Sequence, residues 1–187
     1  MHSTWIFAAD DKHWLPLPSP GTLTVEQRKL WLDAATVRIS RANLEQDPQA
    51  LAVLRERCRE ALDSAPEGEA CVYFPVMEPF VLTVQIDTVP EAEWSASLAQ
   101  WQAEGQGNVS FEVTQLDHAA LKDAARVMRV DREGTRVVFP VAFFGRAGDV
   151  GLIIKATTSH PMIAGQFAKV GADFFATFEL SAEGVGG

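Results

Sequence analysis

Apolar residues recur along the chain with two periods, every second position in some stretches and every third or fourth in others. The clearest helical stretch is 161–178, and at about 100° per residue its apolar residues fall on one stripe. Its members are Ile163, Phe167, Val170, Phe174 and Phe178. A helix with one strongly apolar side needs a sheet to cover. We therefore predict that this helix packs on neighbouring strands.

Three strands are predicted just before that helix. The apolar runs 127–130, 137–144 and 150–156 are separated by short turn sequences at 131–134 and 145–148. Such short connections make consecutive strands antiparallel neighbours. The middle run is apolar at both odd and even positions, which predicts cover on both of its faces.

The first third of the chain is predicted to be a pair of helices. Thr24 and Gln27 have capping-box spacing, and Asp47 before Pro48 is typical of a second helix start. Four apolar residues of the first helix are expected on its buried face: Val25, Leu32, Ala35 and Ile39. Two short apolar runs ahead of it, 5–8 and 13–17, predict a small hairpin.

A third helix is predicted to open at Pro90, between strands. Trp94, Leu98 and Trp101 recur on one of its faces. Two interpretations stay open, because such a face is either part of the core or an exposed aromatic ridge for a partner. A strand with alternating apolar residues follows at 109–114.

These elements predict an α+β fold. We expect a single domain over residues 1–180, built as a curved, mainly antiparallel sheet between helices (an α/β/α sandwich) with an N-terminal helical pair. A chain of 187 residues with 47% hydrophobic content can bury one core. Residues 181–187 are expected to be a disordered tail.

The net charge of −9 is concentrated in the middle of the chain. Residues 1–62 hold eight basic and eight acidic residues, and residues 117–187 again hold eight of each. Residues 63–116, which we call the acidic segment, hold nine acids and no Lys or Arg. The segment is interpreted either as a solvated surface or as a docking face for a basic partner. Nucleic-acid binding is disfavoured, because phosphate neutralisation needs a basic surface.

Candidate chemistry is sparse. The four histidines lie far apart, and no catalytic, nucleotide-binding or metal-binding motif is present. Asp117 and His118 are the nearest acid–imidazole pair, but adjacent residues rarely point the same way. Cys58 and Cys71 have no CxxC partner and are expected to be free, buried thiols of a reducing compartment. We expect no catalytic residue, no metal and no cofactor.

No stretch of about 20 apolar residues is present, and the N-terminus lacks the features of a signal peptide. The chain is therefore expected to be cytoplasmic, without a membrane partner.

The C-terminal part resembles the Mog1/PsbP-like proteins. The resemblance covers about 60 residues: a small pair, Ala124 and Ala125, before a strand led by Arg126, an acid–Gly hairpin ending at Gly134, a hydrophobic strand, and a last amphipathic helix. It implies a curved antiparallel sheet between helices and a largely non-enzymatic binding role. Family roles include a transport-factor partner, a photosystem subunit, and adaptors or chaperones of bacterial secretion systems.

The expected function is a non-catalytic intracellular protein-binding module, an adaptor or chaperone. A structural or immunity-type component of a stable complex, or an enzyme with an unrecognised site, are the alternatives. The expected partner is another protein with a basic or mixed surface, and a homodimer stays open. Since the third helix combines aromatic and acidic residues, its predicted partner-binding residues are Glu91, Glu93, Trp94, Trp101 and Glu104.

Overall fold

The structure, a computed structural model, describes residues 3–8, 13–19, 21–43, 47–75, 80–105 and 110–182. Within these ranges it has four helices and nine strands. The helices are α1 (Val25–Asn43), α2 (Pro48–Asp63), α3 (Glu91–Gly105) and α4 (Pro161–Phe175). The strands are β1 (Ser3–Ile6), β2 (Trp14–Leu17), β3 (Glu69–Tyr73), β4 (Leu82–Pro90), β5 (Ser110–Gln115), β6 (Lys122–Glu133), β7 (Arg136–Ala147), β8 (Val150–Thr158) and β9 (Glu179–Ala182).

The chain is an α+β protein with antiparallel strands, as predicted. Pairs β1–β9, β2–β3, β3–β4, β5–β6, β6–β7 and β7–β8 are all antiparallel. The chain divides into two compact units, and the boundary falls inside β4 between Ile86 and Asp87. We call residues 10–86 the smaller unit, and residues 1–9 with 87–187 the larger unit. That residues 1–180 fold as one domain stays a prediction.

The smaller unit packs α1 and α2 against strands β2 and β3. Its core contains Leu15, Leu17, Ile39, Leu54, Cys58, Leu62, Val72 and Phe74. Ion pairs Arg28–Asp63 and Arg55–Asp33 join the two helices outside this core. The predicted N-terminal helical pair is therefore present.

Both helix starts of the smaller unit are capped as predicted. The Thr24 N–H donates to Gln27 Oε1 at 2.8 Å, and the Gln27 N–H donates to Thr24 Oγ1 at 3.2 Å. Asp47 Oδ2 accepts from the Ala50 N–H at 2.9 Å.

The prediction that Val25 lies on the buried face is wrong. Val25 is the first residue of α1 and is strongly exposed, at the end of the helix rather than over the core.

The larger unit contains the predicted three-stranded antiparallel array. Its strands follow the order β5, β6, β7, β8, with β1 and β9 paired as a separate ribbon. The predicted hairpin of the two N-terminal apolar runs is wrong. β1 pairs with β9, more than 170 residues along the chain, whereas β2 pairs with β3. A long-range partner of this kind leaves no trace in the local pattern.

Helices α3 and α4 cover opposite faces of this sheet, which confirms the two-sided cover of β7. On the α4 side, Phe143 meets Phe167 edge to face at 5.8 Å between ring centroids. On the α3 side, Phe144 meets Trp101 at 5.9 Å. Gly171 permits the close approach of α4, because a Cβ there would lie 2.7 Å from the Phe143 ring.

The predicted stripe of α4 is confirmed, except that Val170 is only half-buried. Ile163, Phe167 and Phe174 are buried, and Phe178 is buried just beyond the last helical turn. The N-cap of α4 is His160. Its side chain makes no capping bond, and its N–H donates to Thr158 Oγ1 at 3.1 Å.

The prediction that disorder begins at Ser181 is wrong. Ser181 and Ala182 pair with Thr4 and Ser3 in the β1–β9 ribbon, so the chain stays ordered to that point. The remaining tail residues, 183–187, lie outside the described ranges.

Among the helices of these described ranges, none combines the length and apolar character needed to cross a membrane.

Candidate partner-binding site

Trp94 enters the core from the first turn of α3. Its side chain is only 5% exposed and packs with Val127, Ala142 and Ile153. Gly151 of β8 makes room for it, since a Cβ at that position would lie 2.4 Å from Trp94 Cβ. The core interpretation of the tryptophan face is therefore confirmed for Trp94. Its prediction as an exposed anchor is wrong, because the sheet covers the ring.

Trp101 lies two turns further along α3 and is half-buried. One side of its indole faces the Phe144 ring, and the Arg129 guanidinium lies 4.4 Å from the indole centroid. A cation at this distance from an indole is attracted by the ring quadrupole. Both contacts are internal, so Trp101 supports the fold rather than an exposed aromatic ridge.

Glu104 completes the environment of Arg129. Its Oε2 accepts from Arg129 Nη1 at 2.5 Å, and Asp131 Oδ2 accepts from Nη2 at 2.8 Å. Arg129 is buried, and burying a charge is costly unless it is paired. Two carboxylates and the Trp101 ring supply that pairing. The hydrogen bond from Arg129, followed by one from Gln100, lowers the pKa of Glu104 below its ordinary value.

Substituting Glu104→Gln should reduce stability only where the carboxylate is charged. Because the folded state lowers the Glu104 pKa, its contribution is present above about pH 4.5, the ordinary value, and is lost as the pH falls through the lowered one. The difference in unfolding free energy between wild type and variant should therefore shrink towards acid pH. Denaturant titrations over a pH series measure it. Glu93→Gln is the control, with an expected change within about 0.5 kcal/mol. A constant difference would contradict the prediction.

The two acids in the first turn of α3 differ in their surroundings. Glu91 forms an ion pair with Arg146, whose Nε also donates to Asp123 Oδ2 at 2.5 Å. Glu93 is exposed and has no ion-pair partner among the described residues. Of the five predicted partner-binding residues, Glu93 is therefore the one whose side chain is both exposed and unpaired.

About half of the acids in the acidic segment are paired with bases from the rest of the chain. Five of its acids form ion pairs with basic residues that lie outside the segment. These are Asp63 with Arg28 and Arg59, Asp87 with Lys155, Glu91 with Arg146, Glu104 with Arg129, and Glu112 with Arg126. Counting charges along the sequence therefore overstates the electrostatic field around the acidic segment.

His118 is held by the main chain through both ring nitrogens. Nδ1 accepts from the N–H groups of Ala120 and Leu121, each at 3.0 Å. Two donors at Nδ1 place the ring hydrogen on Nε2, which donates to the Phe175 carbonyl at 3.0 Å. The ring therefore links the β5–β6 connection to the end of α4, and its nitrogens are already used.

The thiols and carboxylates do not converge either. Cys58 and Cys71 are free and buried, as predicted. Burial raises the pKa of Cys58 to about 11 and also raises that of Cys71, which keeps both as unreactive thiols. In the ranges that the structure describes, no group of three or more His, Cys, Asp or Glu side chains could hold a metal ion.

An apolar surface on α1 was missed by the sequence argument. Leu30, Ala34 and Val37 are all exposed, with exposed fractions of 67% for Leu30 and 47% for Val37. At about 100° per residue they form one stripe, on the side of α1 opposite buried Ala35 and Ile39. The signal was present in the sequence, since α1 has apolar residues on two opposite sides and a core can use one.

The smaller unit thus has an exposed apolar helix face, whereas both tryptophans of α3 in the larger unit make internal contacts. The resemblance to Mog1/PsbP-like proteins stays a prediction. No protein-family model matches the chain, and no curated protein is similar to it in sequence.

Proposed function

We propose that this chain is a non-catalytic intracellular protein-binding module, an adaptor or chaperone that engages another protein through α1. The observation that carries the proposal is the stripe of Leu30, Ala34 and Val37, which we call the α1 stripe. Isolated exposed apolar residues are ordinary, but three on one helix face form a contiguous apolar patch. Burying it against a partner is favourable in proportion to the area removed from water.

The charges around the α1 stripe fit a mixed partner surface. Exposed Glu26 lies on the same side one turn before Leu30, and exposed Arg41 lies one turn after Val37. An apolar centre with charges of both signs at its ends has the arrangement of an interface core and its rim. The expected occupant is an amphipathic helix of a partner, whose own apolar face covers the stripe.

The non-catalytic part of the proposal draws on side chains that are already engaged. His118 is bonded to main-chain groups, both thiols are buried, and five acids of the acidic segment are in ion pairs. An intracellular location is supported by two free thiols, which persist in reducing compartments. The adaptor or chaperone role is the one that the resemblance to Mog1/PsbP-like proteins implies.

The test compares three tagged chains expressed in the native host. These are the wild type, the Leu30→Ser/Val37→Ser double variant, and Val25→Ser as matched control. Val25 is also exposed on α1 but lies about 140° around the axis from Leu30, at about 100° per residue. Co-purified proteins are quantified by mass spectrometry, after melting curves confirm equal stability.

A specific partner should be recovered with the wild type and with Val25→Ser, and lost with the double variant. Recovery of the same proteins by all three chains would reject the α1 stripe as the binding surface.

A further inference from the structure

Strand β5 is the edge of the larger unit's sheet among the described strands. The Leu116 N–H donates to the Ala124 carbonyl at 2.8 Å, in the same register that pairs β5 with β6. Hydrogen-bonded and non-hydrogen-bonded pairs alternate along an antiparallel ladder. The main-chain groups of Thr114 and Glu112 therefore point towards β6. Those of Phe111, Val113 and Gln115 point away from it.

β5 lacks the protection that the edge strand of the smaller unit has. That strand, β2, is four residues long and contains Pro16, which has no N–H to offer. The Pro16 carbonyl also accepts a hydrogen bond from Trp31 Nε1 at 3.1 Å. β5 is six residues long, contains neither Pro nor Lys, and exposes Val113 to 36%. An open edge of this kind is a template for another strand.

We propose that β5 pairs with β5 of a second copy of this chain, antiparallel across a two-fold axis at Val113. In this register Phe111 faces Gln115 of the second copy, and Val113 faces its own counterpart. All three residues with outward main-chain groups then gain hydrogen-bonded partners. The surface is separate from the α1 stripe, so this inference goes beyond the proposed function and does not depend on it.

The side chains favour this register over the one that puts Glu112 at the axis. With Val113 at the axis, Glu112 lies opposite Thr114 of the second copy, so no like charges meet. Glu112 is already neutralised by Arg126, with 3.0 Å between Oε1 and Nη2. A shift that puts Glu112 at the axis would place two carboxylates face to face, which is unfavourable. The self-complementary strand thus fits an isologous interface between identical copies.

The two faces of β5 are also compatible with a second copy. Phe111 is half-buried and packs against the α3-side cluster with Trp101, so its ring is already partly covered by its own chain. Val113 is on the same side and is exposed, so pairing would bury it against an identical Val. The second copy therefore covers the exposed apolar residue without displacing a contact of the folded chain.

Sedimentation velocity of the full chain over a wide concentration range tests the proposal. Wild type should dimerise reversibly. Val113→Lys alone and Val113→Glu alone should each raise the dissociation constant by about tenfold or more, because each places like charges at the axis. An equimolar mixture of the two, one isotopically labelled, should restore a heterodimer in native mass spectrometry. Circular dichroism checks that both variants are folded.

Recovery by the mixture cannot arise from misfolding of either variant, since each chain carries only its own substitution. A wild type that remains monomeric at the highest concentration overturns the proposal. So does dimerisation of either single variant as tight as wild type, or a mixture that fails to form the heterodimer. An extended segment of a different protein on β5 would give the first of these results.

Discussion

Replacing Trp94 by Ala should lower the free energy of unfolding by roughly 3–5 kcal/mol. The indole is almost completely enclosed by apolar side chains of β6, β7 and β8, and Gly151 has no side chain that could move in to fill its space. The lost burial is therefore accompanied by a cavity. Denaturant titration followed by circular dichroism measures the change. A loss under about 1 kcal/mol would mean that α3 does not pack as described.

Two further variants separate the loss of Trp94 side-chain volume from other contributions to the change in unfolding free energy. Trp94 Nε1 is buried without a hydrogen-bond partner among the described residues, so removing its N–H loses no bond. Trp94→Phe should therefore cost less than Trp94→Ala, since much of the ring volume is kept. Glu93→Ala, next to it on the exposed side of α3, should change stability by no more than about 0.5 kcal/mol.

The same loss, roughly 3–5 kcal/mol, is expected for Phe174→Ala in α4. Phe174 is buried and meets two other rings edge to face, Phe7 at 5.5 Å and Phe178 at 5.1 Å between centroids. Its removal should also loosen the segment around Phe7. Equilibrium unfolding gives the free energy, and hydrogen exchange reports the loss of protection near Phe7.

The glycine at position 165 of the same helix provides a control of opposite sign. A Cβ at Gly165 meets nothing within 4 Å, so Gly165→Ala should raise stability by about 0.5–1 kcal/mol through helix propensity. A loss under about 1 kcal/mol for Phe174→Ala, with Gly165→Ala stabilising as expected, would contradict the assignment of Phe174 to the core.

Local patterns predicted the elements of this fold well. The stripe of α4, the cap at Asp47 and the three strands before α4 are all present, because each depends on residues close together in sequence. The partner of β1 could not be predicted in this way. Its pairing with β9 depends on where the two ends of the larger unit meet, and no spacing along the chain records that.

The candidate site was harder to predict for the same reason. Periodicity placed Trp94 and Trp101 on one face but could not say what covers it, which depends on Gly151 and Arg129 from distant strands. The acidic segment looked like a charged field because its basic partners, among them Arg146, lie outside it in sequence. The apolar residues of the α1 stripe could be recognised in the sequence. Only their exposure in the structure shows that this face of α1 lies outside the core.

The two cysteines can be used to detect local opening of the chain, because of where they lie. Both belong to the smaller unit, so a thiol-alkylating reagent can modify the chain only when that unit opens. The larger unit has no thiol and is silent to the reagent. Comparing the alkylation rate with the rate of global unfolding would therefore show whether the smaller unit opens independently or only when the whole chain unfolds.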